Sequence, residues 1–238
     1  MTTILPETTV GQIVAQQPNR SRVFEALGLD YCCGGKKTLA DACAKKGLDV
    51  NTVLERLSAV EPYGTAAESA SHLDMPLPEL ADLIEATHHA YLNRELPRLK
   101  QLLDKVAKVH GEKDARLGQL RDIFAELQAE LESHLMKEER VLFPAIRRLC
   151  GIDAECACSP ATIAAPIRVM EAEHDSAGEA LEAIRTLTDG FTPPDWACNT
   201  YRATLDGLHE LELDMHQHIH KENNILFPRA LALERGEG

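Results

Sequence analysis

Apolar residues recur along this chain at three- and four-residue intervals, the mark of helices that bury one face. In residues 1–60, Val10, Ile13 and Val14 make one such face, and Val23, Phe24 and Leu27 make a second, which Gly28 closes. A turn follows at Tyr31-Cys32-Cys33-Gly34-Gly35, then a helix to Lys46, then a last helix carrying Val53, Leu54 and Leu57 behind Asp49 or Asn51 as cap. Residues 61–76 are small and polar, with proline near each end, and read as a linker. Residues 77–238 then hold four long amphipathic stretches, at 77–108, 113–149, 161–188 and 194–233. Pro97 predicts a kink in the first. Ser159-Pro160 predicts the cap and first turn of the third, and Asp189-Gly190 ends it. Short connections between four helices imply an antiparallel up-and-down four-helix bundle. The expected fold is therefore all-α, a small helical domain followed by that bundle.

The second and fourth stretches carry a repeat. His134-Leu-Met-Lys-Glu138-Glu-Arg-Val-Leu-Phe-Pro144 aligns without a gap on His218-Ile-His-Lys-Glu222-Asn-Asn-Ile-Leu-Phe-Pro228. Positions i and i+4 share a helix face, so each His points the same way as its Glu. Leu131, His134, Glu138 and Val141 form one row, and Met215, His218, Glu222 and Ile225 the other, so both pairs sit on apolar seams. A buried carboxylate without a partner is costly, and a bound cation supplies the compensation. The repeat extends to the other two helices: His89 precedes His134 by 45 residues, and His174 precedes His218 by 44. The resulting set is His89, His134, Glu138, His174, His218 and Glu222. Its nitrogen and oxygen donors suit a pair of iron or manganese ions better than a structural zinc. Of adjacent His88 and His89, only one fits a helical seam, and register favours His89. His216 and His220 should be solvated, and His72, His110 and His209 should lie on the surface. Glu130 and Asp214, each four residues before a ligand His, are candidates to accept its second ring N–H.

Charge and composition narrow the classes. A net charge of −13 argues against nucleic acid and anionic membranes as partners. Apolar residues at 44% supply a core, and few aromatics and glycines favour helix over sheet. Met1–Val10 lacks the basic and apolar segments of a secretory leader, and the chain is read as cytoplasmic. In a reducing compartment the seven cysteines are thiols or ligands before they are disulfides. Cys32 and Cys33 lie in a Gly-Gly turn beside Lys36 and Lys37, with a helix expected just after. Both features would favour thiolate, making the pair a redox, metal-transfer or nitric oxide-reactive site. Cys150, Cys156 and Cys158 form a further cluster whose spacing matches no standard metal site. Exposed thiols allow a homodimer.

These strings together resemble a known family. Leu29-Asp30-Tyr31-Cys32-Cys33-Gly34-Gly35-Lys36, Ser133-His134 to Glu138-Glu139, Glu171 to His174-Asp175-Ser-Ala-Gly178, and Glu222-Asn223-Asn224-Ile-Leu-Phe-Pro228 are similar to those of the RIC proteins, named for repair of iron centres. Those proteins join an ScdA-type N-terminal domain to a hemerythrin-like bundle. The resemblance covers nearly the whole chain. It implies two non-haem iron ions with oxo and carboxylate bridges on the same six residues. It also implies repair of iron–sulfur proteins after oxidative or nitrosative damage, by iron delivery or nitric oxide chemistry. The alternative is a hemerythrin-like sensor or binding module for oxygen or nitric oxide, to which the Cys-Cys-Gly-Gly turn would be superfluous.

Overall fold

A computed structural model describes residues 4–61, 72–152 and 162–237. Most of the linker, Cys156, Cys158 and the Ser159-Pro160 cap lie outside the described residues. Those residues are all-α apart from turns and one isolated antiparallel bridge between Thr9 and Thr38. The fold is a helical bundle preceded by a small helical module, as the periodicity implied.

The chain divides into two compact units, one of Met1–Leu80 with His216–Gly238 and one of Ala81–Met215. In the first unit, α1 (Val10–Gln16), α2 (Ser21–Leu27), α3 (Leu39–Lys46) and α4 (Val50–Ser58) are short, and each start or stop has a local cause. Thr9 and Gln12 form a reciprocal capping box on α1. Thr38 accepts from the Asp41 amide at the start of α3, and Asp49 from the Thr52 amide at the start of α4. Gly28 and Gly47 end α2 and α3 in the left-handed conformation. Four such short helices are marginal alone and are held by burial of Ile13, Val14, Phe24, Tyr31, Leu39, Val53 and Leu57 in one core.

The long helices follow the expected rows. The first comprises α5 (Leu77–Ile84), a π-helical turn π1 (Glu85–His89) and α6 (Ala90–His110), which continues through Pro97. Next come α7 (Arg116–Lys137), π2 (Glu138–Leu142) and α8 (Phe143–Leu149). After α9 (Ala164–Leu187), the chain ends in α10 (Asn199–Lys221), π3 (Glu222–Leu226) and α11 (Phe227–Glu234). Within the second unit, α7 packs against both α6 and α9. The rows Leu92-Leu96-Leu99-Leu103 and Leu120-Phe124-Leu127-Leu131 are buried there. Gly207 lets α10 approach α6: a Cβ there would meet the Leu99 side chain at 2.7 Å.

Two of the π turns, π2 and π3, have a shared origin in the repeat. Pro144 and Pro228 stand at the start of α8 and α11. Proline has no N–H to donate and its ring collides with the carbonyl four residues back. A wider turn just before it relieves both problems, and such turns cluster at functional positions. Each inserts the equivalent of one residue. Hence Val141, expected on the buried row, is 43% exposed, and Leu142 is buried in its place.

Among the described residues, no helix is long and apolar enough to cross a membrane.

Candidate metal centre

All six residues singled out by spacing are buried, each at 3% exposure or less. In the second unit, α7 presents His134 as the next member of the Leu127-Leu131 row, and π2 begins at Glu138 one turn later. Glu138 Oε2 lies 3.3 Å from His89 Nε2 and 3.4 Å from His134 Nε2. His174, in the regular helix α9, places its Nε2 3.1 Å from that of His134. Both oxygens of Glu138 are buried, and neither makes a hydrogen bond among the described residues. In the first unit, His218 Nε2 stands 3.0 Å from Glu222 Oε1, the same i,i+4 pairing.

The outer nitrogens explain which way the inner ones face. His89 Nδ1 lies 2.9 Å from Glu139 Oε1, and His134 Nδ1 lies 2.9 Å from Glu173 Oε2. A carboxylate only accepts, so each Nδ1 carries the proton and donates it. In a neutral imidazole that leaves the Nε2 lone pair directed inward, the arrangement that prepares histidine for a metal. Burial alone would raise the Glu173 carboxyl, but hydrogen bonds from Lys137 and His134 outweigh it and hold it below the usual carboxylate range. The Phe143 ring stacks on His89 at 5.6 Å between centroids. A groove of about 790 Å³ between α7 and α9 opens onto Lys137 and Glu173.

This donor set fits a cation. Metal–nitrogen bonds of about 2.1 Å at a right angle put two nitrogens about 3 Å apart, close to the spacing between His134 and His174. With the His134 Nε2 lone pair directed inward, an approach this close is met by a proton on His174 or by a cation held between the two rings. The Glu138 carboxylate, without a hydrogen bond among the described residues, supplies negative charge at the same place.

Several expectations are corrected. The second ring nitrogen of His134 pairs with Glu173, not Glu130, and that of His89 pairs with Glu139. Glu130 is exposed, and Asp214 pairs with His88 Nδ1 at 2.9 Å. Spacing could not reveal Glu173, which reaches His134 from another helix. Glu139 follows Glu138 directly, which argues against a shared site on a regular helix. His88 and His89 are both buried, at 6% and 1%, because the wide turn π1 gives them different partners. His220 is buried rather than solvated: its ring meets Tyr31 at 5.5 Å, and burial, then the Lys221 charge, push its pKa down to about 3. His110 is half-buried, stacked near Trp196 and Tyr201, with Nε2 3.2 Å from Cys198 Sγ.

The cysteine turn also differs from its reading. Lys36 and Lys37 are exposed, and the next helix begins only at Leu39. Cys32 is buried, and its thiol is pushed up, not down, by its hydrogen bond to Cys33, by burial, and by the negative charges of Cys33 and Asp30. Missed altogether was Asn224. Its Nδ2 donates to the carbonyls of Tyr31 and Cys32 at 3.3 and 3.0 Å. Gly11 and Gly35 make room for this amide; a Cβ on Gly35 would lie 2.0 Å from Asn224 Oδ1. The turn is thereby pinned to π3, which begins with Glu222. Tyr31 OH adds a bond to Glu25 and accepts one from Gln217.

Comparison with known proteins gives concordant matches. The hemerythrin HHE cation binding domain matches residues 82–230. A domain of unknown function, ScdA_N, matches residues 6–61. The iron-sulfur cluster repair protein YtfE of Yersinia pseudotuberculosis serotype IB (strain PB1/+) is 40% identical over 232 residues, covering 96% of this chain and 97% of that protein. The protein of the same name from Escherichia coli O81 (strain ED1a) is 42% identical over 227 residues, covering 94% and 97%.

Proposed function

The chain belongs to the iron–sulfur cluster repair proteins built from an ScdA-type domain and a hemerythrin cation-binding domain, and from that premise we propose that it is a cytoplasmic di-iron protein restoring clusters damaged by oxidative or nitrosative stress. His89, His134, Glu138, His174, His218 and Glu222 would hold the two ions. The observation that carries this reading is the Glu138 carboxylate, fully buried, without a hydrogen bond among the described residues, and faced by imidazole nitrogens whose other nitrogens are tied to carboxylates.

When bound, iron supplies redox chemistry and affinity for small molecules such as nitric oxide or oxygen. The chain's own residues do the rest. Glu139 and Glu173 fix the ring orientation of His89 and His134 and keep the proton on Nδ1. Lys137 holds Glu173 in place. Phe143 covers one face of His89 and limits the approach of water. The Cys32-Cys33 turn mediates delivery or redox coupling toward a damaged iron–sulfur protein.

Anaerobic metal analysis with spectroscopy tests the centre. Two irons per chain are expected in the wild type and a loss of iron in Glu138→Ala and Glu222→Ala. One zinc, or iron content indifferent to both changes, would sink the assignment. For repair, a damaged iron–sulfur enzyme should regain activity on addition of the protein and less so with Cys32→Ser/Cys33→Ser. Equal repair by that variant removes the role given to the turn and leaves a sensing module as the better reading.

A further inference from the structure

Asp30 has no place in the centre described above, yet its carboxylate reaches into the cysteine turn. Asp30 Oδ1 accepts from the Cys32 amide at 3.1 Å and from the Cys32 thiol at 3.3 Å, and Oδ2 accepts from the Gly34 amide at 2.8 Å. Cys32 Sγ and Cys33 Sγ are 4.0 Å apart. One oxygen and two sulfurs therefore converge, all within 4.8 Å of one another.

Those spacings resemble the edges of a coordination tetrahedron. With metal–sulfur bonds of about 2.3 Å and metal–oxygen bonds of about 2.0 Å, tetrahedral edges are about 3.8 Å between sulfurs and about 3.5 Å between sulfur and oxygen. Both observed separations lie within about 0.2 Å of these values, and the third, between an Asp30 oxygen and the Cys33 sulfur, is no more than 4.8 Å. The thiol proton that Cys32 gives to Asp30 occupies the place where a cation would join the same two atoms. Burial is graded as well: Cys32 is buried, Cys33 half-exposed and Asp30 exposed, so one side faces solvent. Only three ligand groups converge among the described residues, leaving a fourth position for a donor from a partner. Asn224, two residues beyond Glu222, holds the Tyr31 and Cys32 carbonyls and so keeps this turn on the segment that carries a ligand of the main centre.

We infer that Asp30, Cys32 and Cys33 form a separate, three-ligand site for a divalent first-row cation, through which iron(II) is passed as cargo. This deepens the delivery role proposed above and rests on it for the identity of the cargo. Binding forms two metal–sulfur bonds and one metal–oxygen bond. Each protonated sulfur releases its proton to solvent, and no electron changes hands. The borderline-soft cation accepts thiolate and carboxylate together, and an open position makes the site one of exchange, not storage.

Cobalt(II) is the probe, because its thiolate complexes are coloured and its coordination resembles that of iron(II) and zinc. Full-length protein with its main centre loaded is titrated anaerobically. One further cobalt per chain is expected, with sulfur-to-cobalt charge-transfer absorption. Asp30→Asn should weaken binding at least tenfold, and Cys32→Ser or Cys33→Ser should diminish the absorption. Absence of that band in reduced wild type overturns the site, and undiminished affinity in Asp30→Asn overturns Asp30 as a ligand. Should Asp30→Asn misfold by circular dichroism, Cys33→Ser, which alters a half-exposed side chain, decides: an unchanged band refutes the site. If cobalt binds as expected while Cys32→Ser/Cys33→Ser repairs normally, the site stands and the delivery reading falls.

Discussion

Replacing Glu138 by glutamine should stabilise the metal-free protein while abolishing its stabilisation by iron. The carboxylate is fully buried, and neither oxygen receives a hydrogen bond among the described residues. A buried polar group left unsatisfied costs about 1–3 kcal/mol, and more when charged. The Nε2 lone pairs of His89 and His134 at 3.3 and 3.4 Å carry no proton to donate and so do not offset it. Glutamine keeps the volume and removes the charge, so the apo-protein should gain about 1–3 kcal/mol, or about 3–9 °C in melting temperature for a chain of this size. Iron(II) at a hundredfold its dissociation constant should add about 2.7 kcal/mol to the wild type and almost nothing to the variant. Thermal melts under anaerobic conditions, with and without iron, give the four values needed. An apo-variant melting below the apo-wild type would mean that Glu138 makes a net favourable contact with His89 and His134. An iron shift that survives in the variant would remove Glu138 from the ligand set.

Three further outcomes are expected. Glu173→Gln should lower iron affinity about 10- to 100-fold while leaving the helix content intact, measured by competition with a chelator. Gly35→Ala forces a methyl group onto the Asn224 amide and should destabilise the first unit by about 1–3 kcal/mol in urea unfolding. The Cys198 thiol is pulled down to about 7 by the Tyr201 amide N–H and by His110, so its alkylation, followed by mass spectrometry of its peptide, should rise with pH through a midpoint near 7. His110→Ala should move that midpoint upward, and an unchanged profile would show that the ring contributes nothing.

Helical spacing made the paired His and Glu positions readable because a buried row in a regular helix repeats every three or four residues. His134 and Glu138, or His218 and Glu222, needed only that period to be paired, and their close approach in the structure follows. What defeated the spacing was departure from the period. The wide turn π1 buries His88 beside His89, and π2 turns Val141 outward, neither of which a constant step of 100° allows. Partners carried by other helices were equally hidden: Glu173 serves a histidine on α7 from α9, a relation that only packing creates. At the cysteine turn, sequence proximity to Lys36 and Lys37 misled because both lysines are exposed, where water screens charge, while Cys32 is buried. Asp30 and Cys33 act on Cys32 at 3.3 and 4.0 Å, with little water between.

The prolines after the wide turns have a mechanical consequence. A π turn can travel along a helix by handing its unmatched carbonyl from one residue to the next, as a wrinkle moves through a carpet. Each hand-over needs an N–H, and Pro144 and Pro228 have none, so π2 and π3 cannot advance past them. The turns that begin at Glu138 and Glu222 thereby lose one direction of travel. After π1 the next proline is Pro97, two turns away, and nothing blocks the wrinkle there. Of the three wide turns, the one bearing His89 is the one able to advance, and an advance of one residue would swing that imidazole aside.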